Sequence, residues 1–127
     1  YATTTERALF FGMAPRATVD AGAMDDVWDY TRVHGEDRHG HATPKPVAMV
    51  EASIVLSCPD GGGVVEPFGG SGSTLIAAEL AGRDCMTMEL LPRWVDVIVR
   101  RWEAFSGVAA RLESTGQTFS EVKAGRA

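Results

Sequence analysis

The order of apolar and polar positions predicts two short strands, each closed by an acidic residue and followed by a helix. Val64 and Val65 are β-branched and lead into Glu66, after which a turn dense in glycine opens a helix that Gly82 ends. Residues 85–89 repeat the scheme with a second apolar run that ends in Glu89. A strand, a turn, a helix and a second strand are the parts of an α/β unit with a parallel sheet.

A helix is predicted before the first of these strands. Thr43 can cap its start, and Pro44 and Pro46 are tolerated in a first turn, where the missing N–H costs no hydrogen bond. Apolar residues then recur at helical spacing on one face, which we expect to be buried: Val47, Val50, Ile54 and Cys58.

A third helix is predicted from Pro92 to the glycine at Gly107. Its large apolar residues recur every three or four positions, which favours a core-facing stripe over a surface for base stacking. They are Trp94, Ile98, Trp102 and Phe105. Three arginines are predicted on or beside its solvated side: Arg93, Arg100 and Arg101.

The flanking stretches give weaker signals. Residues 8–11 suit a strand, residues 14–26 a loop, and residues 27–30 a short extended piece. The charged run at residues 32–40 predicts a mobile loop. Residues 118–122 are predicted as a last strand before a frayed end.

Charge and cysteine content narrow the class of protein. The formal net charge is −5, so no overall basic field attracts nucleic acid, and any contact with DNA must use a local patch or parts outside this chain. Cys58 and Cys85 lack metal or redox spacing and are predicted as core thiols. The sequence has neither a transmembrane run nor a signal peptide, and we expect a reduced, cytoplasmic setting.

Three histidines fall in or beside the charged loop. His34, His39 and His41 could suggest a metal site, but such a loop does not fix ligand geometry. We expect solvated histidines and no metal.

The composition of the glycine turn separates candidate ligands. A P-loop needs a lysine at its end, but the chain has no lysine between Lys45 and Lys123. A dinucleotide fingerprint requires a third glycine where Leu75 stands, and Glu66 would repel a pyrophosphate. Glu66 could instead accept hydrogen bonds from an ammonium group, and Glu89 could bind ribose hydroxyls. A ligand with an amino-acid end and a ribose satisfies both acids, which points to S-adenosylmethionine.

Three motifs then carry a family resemblance. Residues 66–74, EPFGGSGST, resemble the D-P-F-x-G-S-G-T-T cofactor motif of the permuted, class beta amino-group DNA methyltransferases. Residues 41–46, HATPKP, are similar to that family's H-x-T-x-K-P segment. The family's later sequence features are matched by similar residues in the same order. They are a G-R pair at Gly82-Arg83, an I-E pair at Met88-Glu89 and a helix ending at residues 101–103. Glu66 and Ser73 depart from the motif, where aspartate and threonine are usual.

The resemblance implies a set of cofactor-binding residues. Glu66 and the backbone of the turn would hold the methionine end, Glu89 the ribose, and Leu90 would lie near the adenine. Thr43 and Lys45 would reach the cofactor from across the pocket, with Lys45 opposite the carboxylate. The alternative for Lys45 is an exposed lysine at a helix start. The turn residues in this set are Phe68, Gly69, Gly70, Ser71, Gly72 and Ser73.

The family's catalytic tetrapeptide, D/S/N-P-P-Y/W/F, does not occur in this sequence. It holds the amine of a flipped-out base, so we expect no catalytic residue here and no methyl transfer by the chain alone. Since the chain begins at Tyr1, we expect a fragment or processed product.

Two functions stay open. The chain is either the cofactor-binding portion of a site-specific DNA methyltransferase of restriction-modification type, or an inactive remnant that binds cofactor or packs on a partner. For the enzyme, N6-adenine is favoured over N4-cytosine, with DNA bound through the complete protein.

These inferences combine into one predicted architecture. We expect a single domain over residues 1–127 with a partial Rossmann-like α/β methyltransferase fold, in three layers with a mostly parallel sheet. Residues 1–40 would supply a strand and mobile loops, residues 41–107 the cofactor-binding core, and residues 108–127 a tail. So small a sheet would expose an edge, which a homodimer or a partner chain could cover.

Overall fold

The computed structural model describes residues 27–35, 39–40 and 43–126. The predicted strand at residues 8–11 and loop at residues 14–26 lie outside this part, and residues 27–30 belong to no helix or strand. The elements are α1 (Val47–Ser57), β1 (Gly63–Glu66), α2 (Ser73–Leu80), β2 (Asp84–Thr87), α3 (Pro92–Ser106) and α4 (Phe119–Ala124).

The two strands form a parallel pair. Gly63 pairs with Asp84 and Glu66 with Thr87, and α2 is the crossover between the strands. Because the strands are parallel and in this register, both carboxyl ends lie at the same edge of the sheet. The prediction of a partial α/β fold with a parallel sheet is confirmed.

The core lies between α1, α2 and one face of the sheet. Ala77 and Ala78 of α2 are fully buried and cluster with Ile54 of α1. Val64 and Cys85 pack against this cluster, since alternate residues of a strand point to the same face. Small residues on α2 therefore let it approach α1 and the sheet closely.

The opposite face of the sheet is open. Val65 is 65% exposed and its register partner Met86 is 66% exposed. The helices that the structure describes therefore do not cover this face, and the third layer stays a prediction.

The ends of the helices follow the proline and glycine signals, with one correction. α3 begins at Pro92 and is capped by Gly107, which has a φ of 71°. The predicted start of α1 at Thr43 is wrong, because the helix begins at Val47 and Pro46 is its N-cap, without a side-chain hydrogen bond. A residue that precedes proline is disfavoured in the helical region, so Lys45 and Thr43 stay outside the helix.

The predicted last strand at residues 118–122 is also wrong. Thr118 caps α4: its hydroxyl accepts a hydrogen bond from the Glu121 amide, and the Glu121 carboxylate accepts one from the Thr118 amide at 2.7 Å. This capping box overrides the weak alternation of apolar residues. Thr118 keeps only an isolated antiparallel bridge to Arg111.

Candidate functional site

Glu66 closes β1 and holds the start of the turn that follows it. Its Oε1 accepts a hydrogen bond from the Phe68 amide at 2.8 Å, and its Oε2 accepts one from the Thr74 hydroxyl at 3.0 Å. The carboxylate therefore links the first residues of the turn to the first turn of α2.

Glu89, just beyond β2, holds the same turn from the other side. Its Oε2 accepts a hydrogen bond from the Gly70 amide at 2.8 Å, and its Oε1 accepts one from the Leu91 amide at 3.0 Å. A carboxylate oxygen has two acceptor sites, so accepting one amide hydrogen bond does not by itself prevent a carboxylate from binding a ligand. The two predicted acids thus bind one turn, as adjacent parallel strands require.

Glycine is required in the turn for two separate reasons. A Cβ on Gly69 would lie 2.6 Å from Thr87 Oγ1 and 2.8 Å from Ile98 Cδ1, so no side chain fits there. Gly70 and Gly72 have φ values of 53° and 82°, which L-residues rarely adopt. The Gly69 amide also donates to the Met88 carbonyl at 2.8 Å, which ties the turn to the end of β2.

Two serines lie inside the turn and at the start of α2. Ser71 is 4% exposed and Ser73 is 7% exposed, and their hydroxyl oxygens are 3.4 Å apart. α2 begins at Ser73 after the N-cap Gly72, which has no side chain to cap it. Amide groups at a helix start attract acceptors and negative charge, so this end of α2 is suited to an anionic group.

A cavity of about 420 Å³ opens beside this helix start. Its lining includes Lys45 and Ser73, which the sequence had assigned to one ligand, and no acidic residue among those described. Basic side chains dominate the rest, so the cavity favours an anion. The lining residues are Arg32, Val33, His34, His39, Pro44, Lys45, Val47, Ser73 and Arg101.

Two large apolar side chains stand beside the acids without lining this cavity. Phe68, two positions after Glu66, is 85% exposed, and Leu90, which follows Glu89, is 91% exposed. Apolar side chains in such positions can cover a planar ring of a ligand.

The structure thus brings together most, but not all, of the predicted site residues. Glu66 and Glu89 are hydrogen-bonded to the turn between them. Lys45 and Ser73 line the cavity, whose wall includes neither acid. Thr43 is exposed and does not line the cavity. Lys45 is exposed as a residue, as the alternative interpretation expected, although its side chain contributes to the cavity wall.

Arg101 was predicted on or beside the solvated side of α3 and is half-buried. Its contact with the turn was not predicted: its guanidinium donates a hydrogen bond from Nη1 to the carbonyl of Ser71. A signal for this contact exists in the sequence, because Arg101 follows the buried Ile98 by three positions and therefore shares its side of the helix.

Over residues 27–35, 39–40 and 43–126, no group of three or more histidines, cysteines and acids is placed to hold a metal ion. His41 lies outside these ranges. None of the described helices has the length and apolar character that crossing a bilayer requires.

Similarity to known proteins agrees with the geometry. Over 85 residues the chain is 32% identical to the type II methyltransferase M.ScaI of Streptomyces caespitosus. This match covers 62% of this chain and 28% of that protein. Over 87 residues it is 31% identical to the DNA adenine methyltransferase YhdJ of Escherichia coli K12. This match covers 67% of this chain and 30% of that protein. The chain therefore spans less than a third of the length of these relatives.

A solved structure shares the fold. The crystal structure of the complex of M1.HpyAVI with SAM is similar with a TM-score of 0.51 and 26% identity, over 54% of this chain and 33% of that one. The family model for N6/N4 methyltransferases, described as DNA methylase, matches residues 14–100, which include α1, the turn, Glu89 and most of α3. This chain belongs to that DNA methylase family.

Proposed function

We propose that this chain is the S-adenosylmethionine-binding part of a DNA methyltransferase that acts on an exocyclic amino group. The observation that carries the proposal is the pair of carboxylates, Glu66 and Glu89, that hold one glycine turn from adjacent strand ends. The SAM complex of the similar M1.HpyAVI supports the choice of cofactor.

The residues present fit the chemistry of this cofactor. Its ribose hydroxyls require acceptors, which Glu89 offers, and its ammonium group requires an acceptor, which Glu66 offers. Its carboxylate requires positive charge and free amide groups, and the cavity beside Lys45 and the start of α2 supplies both. The residues assigned to the cofactor are Thr43, Lys45, Glu66, Phe68, Gly69, Gly70, Ser71, Gly72, Ser73, Glu89 and Leu90.

Each residue then has a separate task. Glu89 orients the ribose while it also fixes the Gly70 amide, so the ligand and the turn are held by one carboxylate. Leu90 covers the adenine, and the buried backbone of residues 69–73 holds the methionine end. When bound, the cofactor supplies a methyl group on a sulfonium. The role of this chain is to fix the position and orientation of that cofactor.

The acceptors for the target amine come from elsewhere in the complete protein. The full-length relatives include a DNA adenine methyltransferase, which favours adenine over cytosine as the target. The base leaves the helical stack to reach the site, and the complete protein binds the DNA. The isolated chain is therefore inactive, and a methyl-transfer assay with DNA should show no turnover. Measurable transfer would place catalytic residues within this chain.

A second function is favoured by the open face of the sheet. Val65 and Met86 are exposed there, as expected of a remnant that packs on a partner without catalysis. A folded wild-type chain that binds no S-adenosylmethionine would favour this alternative over the first.

Calorimetry with S-adenosylmethionine and its demethylated product tests the cofactor site. Wild type should bind, and Glu89→Ala should weaken binding at least about tenfold, because it removes a charged hydrogen-bond acceptor. Glu113→Gln, which changes an exposed acid in the tail, is the matched control and should leave binding unchanged. Unchanged affinity in Glu89→Ala would remove Glu89 from the ribose role.

A further inference from the structure

We propose that Arg101 is a positioning residue that sets the shape of the glycine turn from helix α3. The proposal rests on the proposed cofactor site, since its effect on ligand binding acts through that turn. It concerns a residue that the motif of the turn does not contain.

The first observation is the bond between Arg101 and the turn. Its Nη1 donates to the carbonyl of Ser71, thirty positions earlier in the chain. Ser71 is 4% exposed, so its carbonyl depends on a protein donor for hydrogen bonding. Arg101 supplies that donor, and a charged donor makes a stronger bond than a neutral one.

The second observation is that α3 contacts the same turn one helical step earlier. Ile98 lies against Gly72, where an added Cβ would be 3.3 Å from the Ile98 Cα, and its Cδ1 crowds Gly69 as well. Ile98 and Arg101 are three positions apart, so both project from one side of α3. The helix therefore contacts the turn at Gly69, just before the segment that has positive φ, and at Ser71 and Gly72 within it.

The third observation links the bond to the ligand side. Arg101 also lines the cavity that contains Lys45 and Ser73. A shift of the Ser71 carbonyl reorients the amide groups that follow it, which open α2 and face that cavity. Loss of the bond should therefore impair ligand binding through the turn. Amide exchange measured without ligand separates this effect from any direct contact between Arg101 and the ligand.

The adjacent Arg100 provides a matched control. It is half-exposed and bonds within its own helix, donating to the Asp96 carbonyl at 2.9 Å and lying 3.8 Å from the Asp96 carboxylate. Arg100→Met removes the same charge and a side chain of the same size, one position away, without touching the turn.

The experiment compares Arg101→Met, Arg101→Lys and Arg100→Met by amide hydrogen exchange without ligand and by calorimetry with S-adenosylmethionine. In Arg101→Met, amides of residues 70–73 should exchange about tenfold faster or more, and cofactor binding should weaken by a similar factor. Amides of α4 should not change. Arg101→Lys keeps one donor, so its rates should fall between those of Arg101→Met and wild type. Arg100→Met should match wild type in both measurements.

Equal exchange in Arg101→Met and Arg100→Met would overturn the proposal. If Arg101→Met does not fold, Arg101→Lys carries the test: faster exchange confined to the turn supports the proposal, and wild-type rates there overturn it. The exchange measurement needs no ligand, so its result stands even if wild type binds no cofactor, which would refute the proposed function alone.

Discussion

The turn at residues 66–73 and the C-terminal segment at residues 108–126 are both ordered by hydrogen bonds, but over different distances along the chain. The turn is held by Glu89, nineteen positions from Gly70, and by Arg101, thirty positions from Ser71. The segment is held by bonds such as that between Thr118 and Glu121, three positions apart. The turn therefore depends on β2 and α3, whereas the bonds of the segment are mostly local, apart from that of the Ala110 amide to Glu103 of α3.

This difference separates the ligand site from the rest of the chain. Glycine adopts positive φ without strain but also adopts many other conformations, so the distant groups select one conformation of the turn. Changes in α3 or β2 should therefore alter the turn, and changes in the C-terminal segment should not.

The largest expected effect is that of Gly69→Ala. The new Cβ would meet the Thr87 hydroxyl, Ile98 and the Met88 carbonyl, all within 3.2 Å, and should lower the free energy of unfolding by about 1–3 kcal/mol. Thermal unfolding followed by circular dichroism measures the loss.

Gly63→Ala is the control for this substitution. Gly63 lies in the same strand–turn unit, but nothing approaches its added Cβ within 4 Å. Its stability should stay near that of wild type, and an equal loss in both variants would mean that close packing is not what requires glycine at position 69.

Thr74→Val should have the next largest effect. It removes the hydroxyl that donates to Glu66 at 3.0 Å and keeps the shape of the side chain. We expect a loss of about 1 kcal/mol in unfolding free energy and weaker cofactor binding, because Glu66 loses one of the two bonds that orient it. Wild-type cofactor affinity in calorimetry would show that this bond does not orient the acid.

Thr118→Ala should affect the C-terminal segment at residues 108–126 and leave the turn unchanged. It removes the hydroxyl of the capping box, so the α4 amides should exchange a few-fold faster while cofactor affinity is unchanged. A loss of affinity would contradict the independence of the two regions.

The same capping box has a pH dependence. Hydrogen bonds from the Thr118 amide, and then from its hydroxyl, lower the pKa of Glu121. The ionised Glu121 therefore contributes its full stabilisation above the pKa that it has in the unfolded chain. This stabilisation is lost as pH falls through the lower pKa of the folded chain, so α4 should fray in acid. Exchange or NMR spectra of α4 that do not change across the acid range would contradict this.

The smallest expected effect concerns Cys85, which lies in β2 and packs against the core. Burial, and then the charge of Glu66, raise the pKa of its thiol. Alkylation followed by mass spectrometry should therefore begin at higher pH for Cys85 than for an unfolded peptide, and Glu66→Gln should lower this onset part of the way. Since the folded pKa is raised, stability should fall as pH rises through the alkaline range.

The sequence predicted the part of the fold where several signals agree. In these places the period of the apolar residues and the positions of proline or glycine predict the same structure. They are the strands ending in Glu66 and near Glu89, the glycine turn and the limits of α3. Both cysteines pack against the core as expected, half-buried and free of disulfides.

The pattern failed where a single local signal or a distant partner decided the outcome. Residues 118–122, predicted as a strand, instead begin helix α4 with a capping box. Thr118 and Glu121 have the spacing that a capping box requires. For Arg101, the spacing from Ile98 indicates the side of the helix on which it lies but not the group that faces it there. The packing of α3 against the turn identifies that group as the Ser71 carbonyl.

The assignments of individual site residues stay predictions, and one measurement tests them most directly. A titration of the labelled chain with S-adenosylmethionine, followed by two-dimensional NMR, reports on every amide at once. We expect large shifts at the amides of residues 69–73 and Leu90, and no shift at the amides of α4. Absence of any shift at residues 69–73, or shifts confined to residues 108–126, would contradict it.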